Sequence, residues 1–249
     1  RRAGRCARAR ATRRRNARHA VLTGTRCNPF PPTRRGDGLP TDSAQQALSI
    51  LRDGSQFQWH VIPLLLLVLY VYANEIERRN WNVVFAGLAL FGMDWFNEIW
   101  NALVFHFAQD APVWAAPADS AFVLLIGLNI EISFNFAIMG IVVAKTLPAD
   151  PATRILGVPN RWFVAVAASV FCVVIECLLN AVGALTWDYW WWSVRMPWLI
   201  FAIGYLPFFV VAFWVHDLPT LRQKIRAVGA IYAFVVACLL LFGTWLRWI

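Results

Sequence analysis

Basic side chains are missing from the interior of the apolar segments of this sequence, although several of those segments carry acids. Lysine and arginine occur only at segment ends. An unpaired carboxylate in lipid is expensive, so an acid inside a membrane segment marks a functional site by default. Salt bridges within the segments are therefore excluded as the reason for these acids, which need a proton, a ligand or a polar neighbour instead.

Motifs of several enzyme classes are also missing. Four histidines are too few for the histidine clusters of membrane di-iron oxygenases, and no Glu-x-x-His of carboxylate-bridged di-iron bundles occurs. GxSxG, HExxH and P-loop motifs are absent from the sequence. The five cysteines show no CxxC spacing, so neither zinc nor a redox pair is supported. We predict no metal and no cofactor.

The composition is that of a membrane protein. The chain has 249 residues, of which 59% are hydrophobic and 15% charged, with a mean hydropathy of +0.52. Soluble domains are roughly 45–50% apolar. The composition therefore predicts an all-α fold, a polytopic membrane helical bundle with one domain.

The net charge of +9 comes from the first residues. Residues 1–36 hold twelve arginines and no acid, whereas the rest holds 11 basic and 14 acidic groups. Such a segment is typical of a transit peptide, or of a basic arm for anionic lipid or nucleic acid. Translated GC-rich upstream DNA is the third interpretation and the one we favour, because the first methionine is Met93. Residues 1–40 are accordingly expected to be non-native or disordered.

Six apolar stretches are long enough to span a membrane, which takes about 20 residues. The predicted spans 1 to 6 are 58–76, 81–107, 119–147, 161–187, 196–216 and 227–248, within a transmembrane domain of residues 58–249. Residues 41–57 form a juxtamembrane segment, in which 42–56 is expected to be a short amphipathic helix on the surface.

The basic residues also predict the orientation. The connections after spans 1, 3 and 5 hold eight lysines and arginines, whereas the opposite side holds three. Connections rich in lysine and arginine face the cytoplasm. We therefore expect a multi-pass protein of the bacterial inner membrane, with these three connections cytoplasmic.

Acids and asparagines recur at helical spacing on three consecutive spans. Residues at i, i+3, i+4 and i+7 share one face of a helix, and we expect the three polar faces to meet in one chamber near the midplane. The candidate catalytic acids are Asp94, Glu98, Glu131 and Glu176, and the neighbouring amides are Asn97, Asn101, Asn135 and Asn180. Adjacent carboxylates in an apolar interior cannot all ionise, so some are expected to be protonated.

Aromatic residues complete the predicted substrate-binding set. Trp95 and Trp100 lie beside the acids of span 2, and Tyr205 of span 5 is placed to reach the chamber. Asp188 lies in an aromatic stretch at the outer surface, as a gate or second acid above the chamber or as an ordinary helix-end residue. Aromatic faces stabilise cations, which suits acid catalysis.

The first functional hypothesis is an enzyme that protonates a lipid or isoprenoid. The size of the chain, the Asn97-Glu98-Ile99-Trp100 run and the later acid Asp188 resemble the small integral-membrane terpene cyclases and the emopamil-binding sterol isomerases. That resemblance implies an acid-catalysed cyclase or isomerase that works without a metal, with Glu98 as the acid. The cyclases have seven spans, whereas six are predicted here.

Two alternatives remain open. Carboxylates and amide oxygens inside a membrane also suit a transporter or channel for protons or cations. In a structural subunit, protonated glutamates and asparagines would form hydrogen bonds between helices, each of which stabilises the bundle by on the order of 1 kcal/mol. The expected partners are membrane lipid, a hydrophobic small-molecule substrate and a second copy of the chain, but not nucleic acid.

Overall fold

A computed structural model describes residues 40–249 of the chain, so the expectation for the arginine-rich residues 1–39 lies outside the described residues. The described region is mostly helical and contains two short hairpins. The prediction of an all-α membrane bundle is confirmed.

Eight helices form the described region of the bundle. They are α1 (Asp42–Ser49), α2 (Val61–Glu77), α3 (Trp81–Ala108), α4 (Ile130–Lys145), α5 (Asn160–Ala181), α6 (Pro197–Leu199), α7 (Leu206–Asp217) and α8 (Leu221–Cys238). A 3₁₀ turn (Gly54–Gln56) follows α1, and π-helical segments join α6 to α7 (Ile200–Tyr205) and extend α8 (Leu239–Trp245). The hairpins pair β1 (Val123–Leu125) with β2 (Leu128–Asn129), and β3 (Arg154–Ile155) with β4 (Val158–Pro159).

Three continuous helical stretches of the described region are long and apolar enough to cross a membrane. They are α5 (Asn160–Ala181), α6 through α7 (Pro197–Asp217) and α8 with its π-helical extension (Leu221–Trp245). Helices α2 and α4 have 17 and 16 residues, at the lower limit for a span, and the 28-residue α3 carries two acids. The count of six spans therefore stays a prediction.

Helix α3 is the centre of the bundle and packs against α2, α4, α7 and α8. Leu90 of α3 is fully buried in a core with Ile141 of α4 and Phe209 of α7. Helix α5 packs chiefly on α7 rather than on α3. Three consecutive spans joined by short connections are expected to pack as neighbours, and α5 departs from this expectation.

Two predicted helix ends are also wrong. Span 3 was expected to begin at 119, but α4 begins at Ile130, where the Asn129 side chain caps it by accepting the Ile132 N–H at 2.8 Å. Span 4 was expected to reach 187, but α5 ends at Ala181. Gly183, with φ +76°, supplies the left-handed residue that commonly follows a helix.

One end of the bundle is covered by a folded layer, which we call the cap: α1, the α3–α4 connection 109–129 and the α5–α6 connection 182–196. In the α3–α4 connection, Val113 and Ala115 are completely buried. Ala115 and Thr186 exchange backbone hydrogen bonds of 3.0 and 2.9 Å. Non-helical backbone is tolerated near membrane depth only when protein surrounds it, as here.

Helix α1 belongs to this cap. Its buried Ala44 and Ala47 face protein. Backbone hydrogen bonds join the flanks of α1 to the cap, from Thr41 to Asp110 at 2.9 Å and from Arg52 to Val123 at 3.0 Å. The expected amphipathic helix is thus present but shorter than 42–56, and its apolar face packs on protein.

The opposite end of the bundle, at the connections 78–80, 146–159 and 218–220, holds the lysine and arginine ion pairs, and we call it the basic end. Lys145 contacts the buried Glu75 at 2.5 Å, and Asn80 donates to the same carboxylate at 2.9 Å. Arg161 binds Asp217 through two hydrogen bonds of 2.8 and 2.7 Å. These two acids at the basic end therefore each have a basic partner.

The close crossing of α3 and α4 predicts a stability effect. A Cβ on Gly140 would lie 2.8 Å from the Gly87 Cα, so Gly140→Ala forces the helices apart. We expect the free energy of unfolding to fall by about 1–3 kcal/mol, measured by thermal unfolding in detergent. Gly229→Ala on α8 is the matched control. Its Cβ meets nothing within 4 Å, so it is expected to stabilise by about 0.5–1 kcal/mol. Equal effects of the two substitutions would contradict the packing argument.

Candidate functional site

Three of the four candidate acids converge on one cavity. Asp94 and Glu98 lie one turn apart on α3, and Glu176 projects from α5. Their exposed fractions are 2%, 4% and 6%. The cavity has a volume of about 50 Å³. A single water needs roughly 10–15 Å³ by the same kind of measure, so the space holds a few water-sized groups.

Aromatic rings form most of the remaining wall. They are Trp114 and Trp192 from the cap, Phe136 from α4, Tyr205 from the π-helical segment and Phe208 from α7. The two indoles stack with centroids 5.4 Å apart, and Phe136 stacks on Tyr205 at 6.3 Å. The other lining residues are Asn97, Gly127, Ile132, Leu185 and Gly204, so no basic side chain lines the cavity among the described residues.

The carboxylates are only partly satisfied by hydrogen bonds. Glu98 Oε1 accepts the Trp114 indole N–H at 2.9 Å, and Glu176 Oε1 accepts that of Trp187 at 3.0 Å. The Tyr205 hydroxyl also faces Glu176. In contrast, Glu98 Oε2 and Asp94 Oδ2 are buried without a hydrogen-bond partner among the described residues. Unsatisfied buried polar atoms are rare and call for an explanation.

Asn97 holds the π-helical segment against α3. Its amide donates to the Gly204 carbonyl at 3.3 Å. Single π-helical turns occur frequently at functional sites, and this one brings Gly204 and Tyr205 to the cavity wall. A Cβ on Gly204 would lie 3.2 Å from the Trp192 ring, so glycine leaves room for that indole.

Asn101 fastens the cap to α3 instead of lining the cavity. Its Oδ1 accepts the backbone N–H groups of Val113 and Trp114 at 2.7 and 3.2 Å, and its Nδ2 donates to the Trp114 carbonyl at 2.8 Å. Gly127 packs against the same place, where a Cβ would lie 2.5 Å from both Asn101 and Trp114. The predicted substrate contact of Asn101 is therefore replaced by a structural one.

Glu131 does not reach the cavity, contrary to our prediction. It lies in the first turn of α4, because that helix begins eleven residues later than expected. Its carboxylate accepts hydrogen bonds from Ser120 Oγ at 2.6 Å and Ala121 N at 2.7 Å, and it pairs with His60 Nε2 at 2.7 Å. The acid joins α4, the α3–α4 connection and the residue before α2.

Three further predicted residues also lie outside the cavity lining. Asn135 is exposed on α4. Asn180 donates to the Leu185 carbonyl at 3.0 Å, near the end of α5. Asp188 is exposed and accepts hydrogen bonds from Ser43 at 2.6 Å and Thr41 at 3.1 Å, which holds the start of α1 on the cap.

The two tryptophans predicted to bind substrate, Trp95 and Trp100, do not line the cavity. Trp95 packs beside Phe91 with centroids 6.4 Å apart, away from the cavity lining. Trp100 lies behind Trp114 at 6.0 Å. The indoles that do line the cavity, Trp114 and Trp192, come from connections. The signal that points to Trp114 is the apolar stretch APVWAAPA, which is unusually hydrophobic for a loop.

The cavity lies nearer the capped end than the predicted midplane. Glu98 is ten residues from the end of α3, and Glu176 is five residues from the end of α5. At 1.5 Å per residue these separations are roughly 15 and 8 Å. The cap closes this side of the cavity, whereas the core around Leu90 and Phe209 lies toward the basic end.

The charge and donor set limit the chemistry. Within residues 40–249 no group of three or more His, Cys, Asp or Glu side chains is placed to hold a metal ion.

In the cap, burial raises the pKa of the Tyr189 phenol, and the carboxylates of Asp110 and Asp188 raise it further. Tyr189 thus stays a neutral donor to the Ala111 carbonyl at 2.9 Å.

The attachment of the cap predicts a measurable loss in Asn101→Leu. The substitution removes three buried hydrogen bonds, so we expect the free energy of unfolding to fall by about 3 kcal/mol or more. Limited proteolysis should then cut within 109–129 faster than in the wild type. Asn135→Leu, at an exposed asparagine whose side chain makes no hydrogen bond within the described chain, is the matched control and should not lower the free energy of unfolding. Similar losses in both variants would show that Asn101 does not hold the cap.

Comparison with known proteins places the chain in a family. An uncharacterized protein of Archaeoglobus fulgidus is 54% identical over 211 residues, which are 85% of this chain and all of that protein. A second uncharacterized protein of the same organism is 50% identical over 54 residues, 22% of this chain and 96% of that protein. No solved structure matches the chain. The profile of an uncharacterized membrane protein family matches residues 41–244, and the chain therefore belongs to that family of membrane proteins.

Proposed function

We propose that the protein is a membrane enzyme that protonates a carbon–carbon double bond of a lipid or isoprenoid, as an isomerase or cyclase. The observation that carries this proposal is the pair of buried, unpartnered oxygens, Asp94 Oδ2 and Glu98 Oε2, in a cavity walled by five aromatic rings. The proposal agrees with the resemblance to membrane terpene cyclases and sterol isomerases in its chemistry and needs no cofactor.

The acid chemistry follows from the charge of the cavity. Three carboxyl groups without a basic neighbour in the lining cannot all be ionised at close range in an apolar site. At least one therefore keeps its proton, and a carboxylic acid with a free O–H is a proton donor. Glu98 is the candidate donor and Asp94 its neighbour one turn away, while indole and phenol groups hold Glu176.

The proposed reaction conserves protons. The Glu98 carboxyl gives its proton to one alkene carbon, the π electrons form the new C–H bond, and the other carbon becomes a cation. The aromatic faces stabilise that cation, and such contacts reach about 2 kcal/mol when desolvated. Loss of a proton to the carboxylate then yields an isomer directly, or a ring if a second alkene attacks the cation first.

A purely structural role, in which the acids form hydrogen bonds between helices, explains the cavity less well. Such a role would pair the carboxyl oxygens with donors on neighbouring elements, as Ser120 and His60 do for Glu131. Instead Glu98 and Asp94 each keep one oxygen unpaired within the described residues. That arrangement destabilises the fold unless a ligand or proton uses it.

Transport of protons or cations is the second candidate and is favoured by the small volume of the cavity. A transporter needs access from both sides of the membrane. Here the cap covers one side, and the fully buried Leu90 and Phe209 belong to the core toward the other. An enzyme that acts on a membrane-dissolved substrate needs neither path.

For the orientation, we propose that the basic end faces the cytoplasm and the cap faces outward. The excess of lysine and arginine in the connections at the basic end supports this assignment. The relatives are archaeal, so the bacterial origin of the membrane has no support from them.

Substitution of the cavity acids is expected to abolish product formation. Lipid profiling by mass spectrometry would compare hosts that express the full-length wild type, Glu98→Gln and Asp94→Asn. We expect an isomerised or cyclised lipid only with the wild type, and a loss of about 100-fold or more in both variants, as for removal of a general acid.

Two glutamates outside the cavity provide the controls. Glu77→Gln at the exposed end of α2 and Glu131→Gln in the cap contacts should keep the product. Identical profiles for wild type and Glu98→Gln, with both proteins folded and inserted, would reject the enzyme. Proton flux into liposomes that is lost in Glu98→Gln would then favour transport.

Cysteine labelling tests the orientation. With the five native cysteines replaced by alanine, a membrane-impermeant maleimide should label Val194→Cys of the cap in intact cells. Ala152→Cys, exposed in the connection between α4 and α5, should react only after lysis. The reverse pattern would invert the proposed orientation.

A further inference from the structure

The route by which a substrate reaches the cavity is suggested by the way α4 and α5 are held. Helix α4 packs on α2 and α3, and α5 packs on α7, while α4 and α5 approach each other sparsely. A close contact joins them, between Cys172 Sγ and Met139 Sδ at 3.5 Å. Both helices nevertheless contribute to the cavity wall, through Phe136 and Glu176.

That sulfur contact fixes the relative height of the two helices, which run in opposite directions along the bundle. Asn135 lies four residues before Met139, and Glu176 lies four residues after Cys172. Both positions are therefore roughly 6 Å from the contact on its capped side. Asn135 and the cavity acid Glu176 lie at the same depth.

Helical spacing places Asn135 beside the gap between the helices. Ile132, Asn135 and Met139 are related as i, i+3 and i+7 and share one stripe of α4. Ile132 lines the cavity and Met139 contacts α5. On α5 the corresponding stripe runs from Cys172 through Ile175, which is 40% exposed, to Leu179.

The amide of Asn135 is the unusual group on this stripe. It is exposed on a helix of the membrane bundle and makes no hydrogen bond to the rest of the described chain. A polar group facing hydrocarbon without a partner costs free energy. Its position next to a cavity residue points to a ligand that supplies the missing hydrogen bond.

We propose that the substrate enters sideways from the lipid through the seam between α4 and α5, lined by Ile132, Asn135, Ile175 and Leu179. The occupant is an apolar chain that carries one oxygen function, such as an alcohol or a carbonyl. Asn135 binds that oxygen at the lipid side of the seam, and the unsaturated end of the chain reaches Asp94 and Glu98. This inference rests on the proposed enzyme and specifies its substrate class.

The apolar lining of the seam favours this occupant over an ion. Ile132, Ile175 and Leu179 are apolar, so a bare cation would lose hydration there without replacement ligands. The alternative path through the cap is closed by paired backbone groups, such as Ala115 with Thr186. A lipid-soluble chain needs only to push apart a pair of sparsely packed helices.

Photo-crosslinking of the full-length protein in its membrane tests the seam. The probe is a long-chain unsaturated alcohol with a terminal diazirine, and crosslinked peptides are mapped by mass spectrometry. We expect labelling concentrated in α3, α4 and α5, about fivefold weaker in Asn135→Leu because one hydrogen bond is lost. Asn135→Gln keeps an amide and should recover most of the labelling.

A steric pair of variants adds a second readout. Ile175→Trp fills the seam and should abolish labelling of α3, whereas Val174→Trp, also exposed on α5, should leave it unchanged. Uniform labelling of all lipid-facing helices, unchanged in Asn135→Leu and Ile175→Trp, would overturn the seam. Equal labelling by the corresponding hydrocarbon would overturn the role of the Asn135 amide.

Failure of the crosslinking prediction can be distinguished from failure of the proposed function. Glu98→Gln should still be labelled by the alcohol, because it removes the proton donor and not the seam. Seam labelling without any lipid product would reject the enzyme but keep the binding site. A lipid product without seam labelling would keep the enzyme and reject this route.

Discussion

Burial of carboxylates in an apolar bundle is the constraint on which this structure depends, and each buried or half-buried acid meets it differently. Glu75 is compensated by Lys145 and Asn80. Glu131 is compensated by a hydroxyl, a backbone N–H and His60. Glu98 has a single indole, and one of its oxygens remains unpaired within the described residues. The acids that are paired within the fold are thus distinct from the acids that the proposed reaction uses.

The cap is what makes the uncompensated acids possible. Trp114 reaches Glu98 only because Asn101 holds the backbone on both sides of the Val113–Trp114 peptide, and because Gly127 leaves room beside the indole. A connection of this kind removes water from the carboxyl groups. Electrostatic interactions are stronger in such a water-poor site, which suits the proposed exchange of a proton between a carboxyl group and a bound substrate.

Helical spacing explains why some of the site was predictable from the sequence. Asp94, Asn97 and Glu98 lie within five residues of one continuous helix, so the period of 3.6 residues alone places them on one face. Tyr205 was predictable because the nearby Pro207 lacks a backbone N–H and so marks an irregular turn of the helix. Both features are local, and local geometry follows from local sequence.

The rest of the site depends on tertiary structure. Hydropathy does not distinguish a membrane span from a connection buried in protein, so the apolar residues before Ile130 were assigned to a helix and Glu131 to its middle. The capping signal at Asn129 was present, with an acid in the first turn after it. Trp192 could not be assigned, since nothing in its local sequence separates an interfacial tryptophan from one that folds back over a cavity.

The position of the cavity bears on the choice between catalysis and transport. Catalysis in which an acid donates a proton to the substrate and later regains one requires no proton pathway through the protein. Net movement of protons requires polar groups that continue from the cavity to both surfaces. Toward the basic end the described core presents Leu90, Ile141 and Phe209, all of them apolar and at most 1% exposed. A site with these apolar residues on its basic side is suited to the proposed chemistry, in which the proton returns to the carboxyl group that released it.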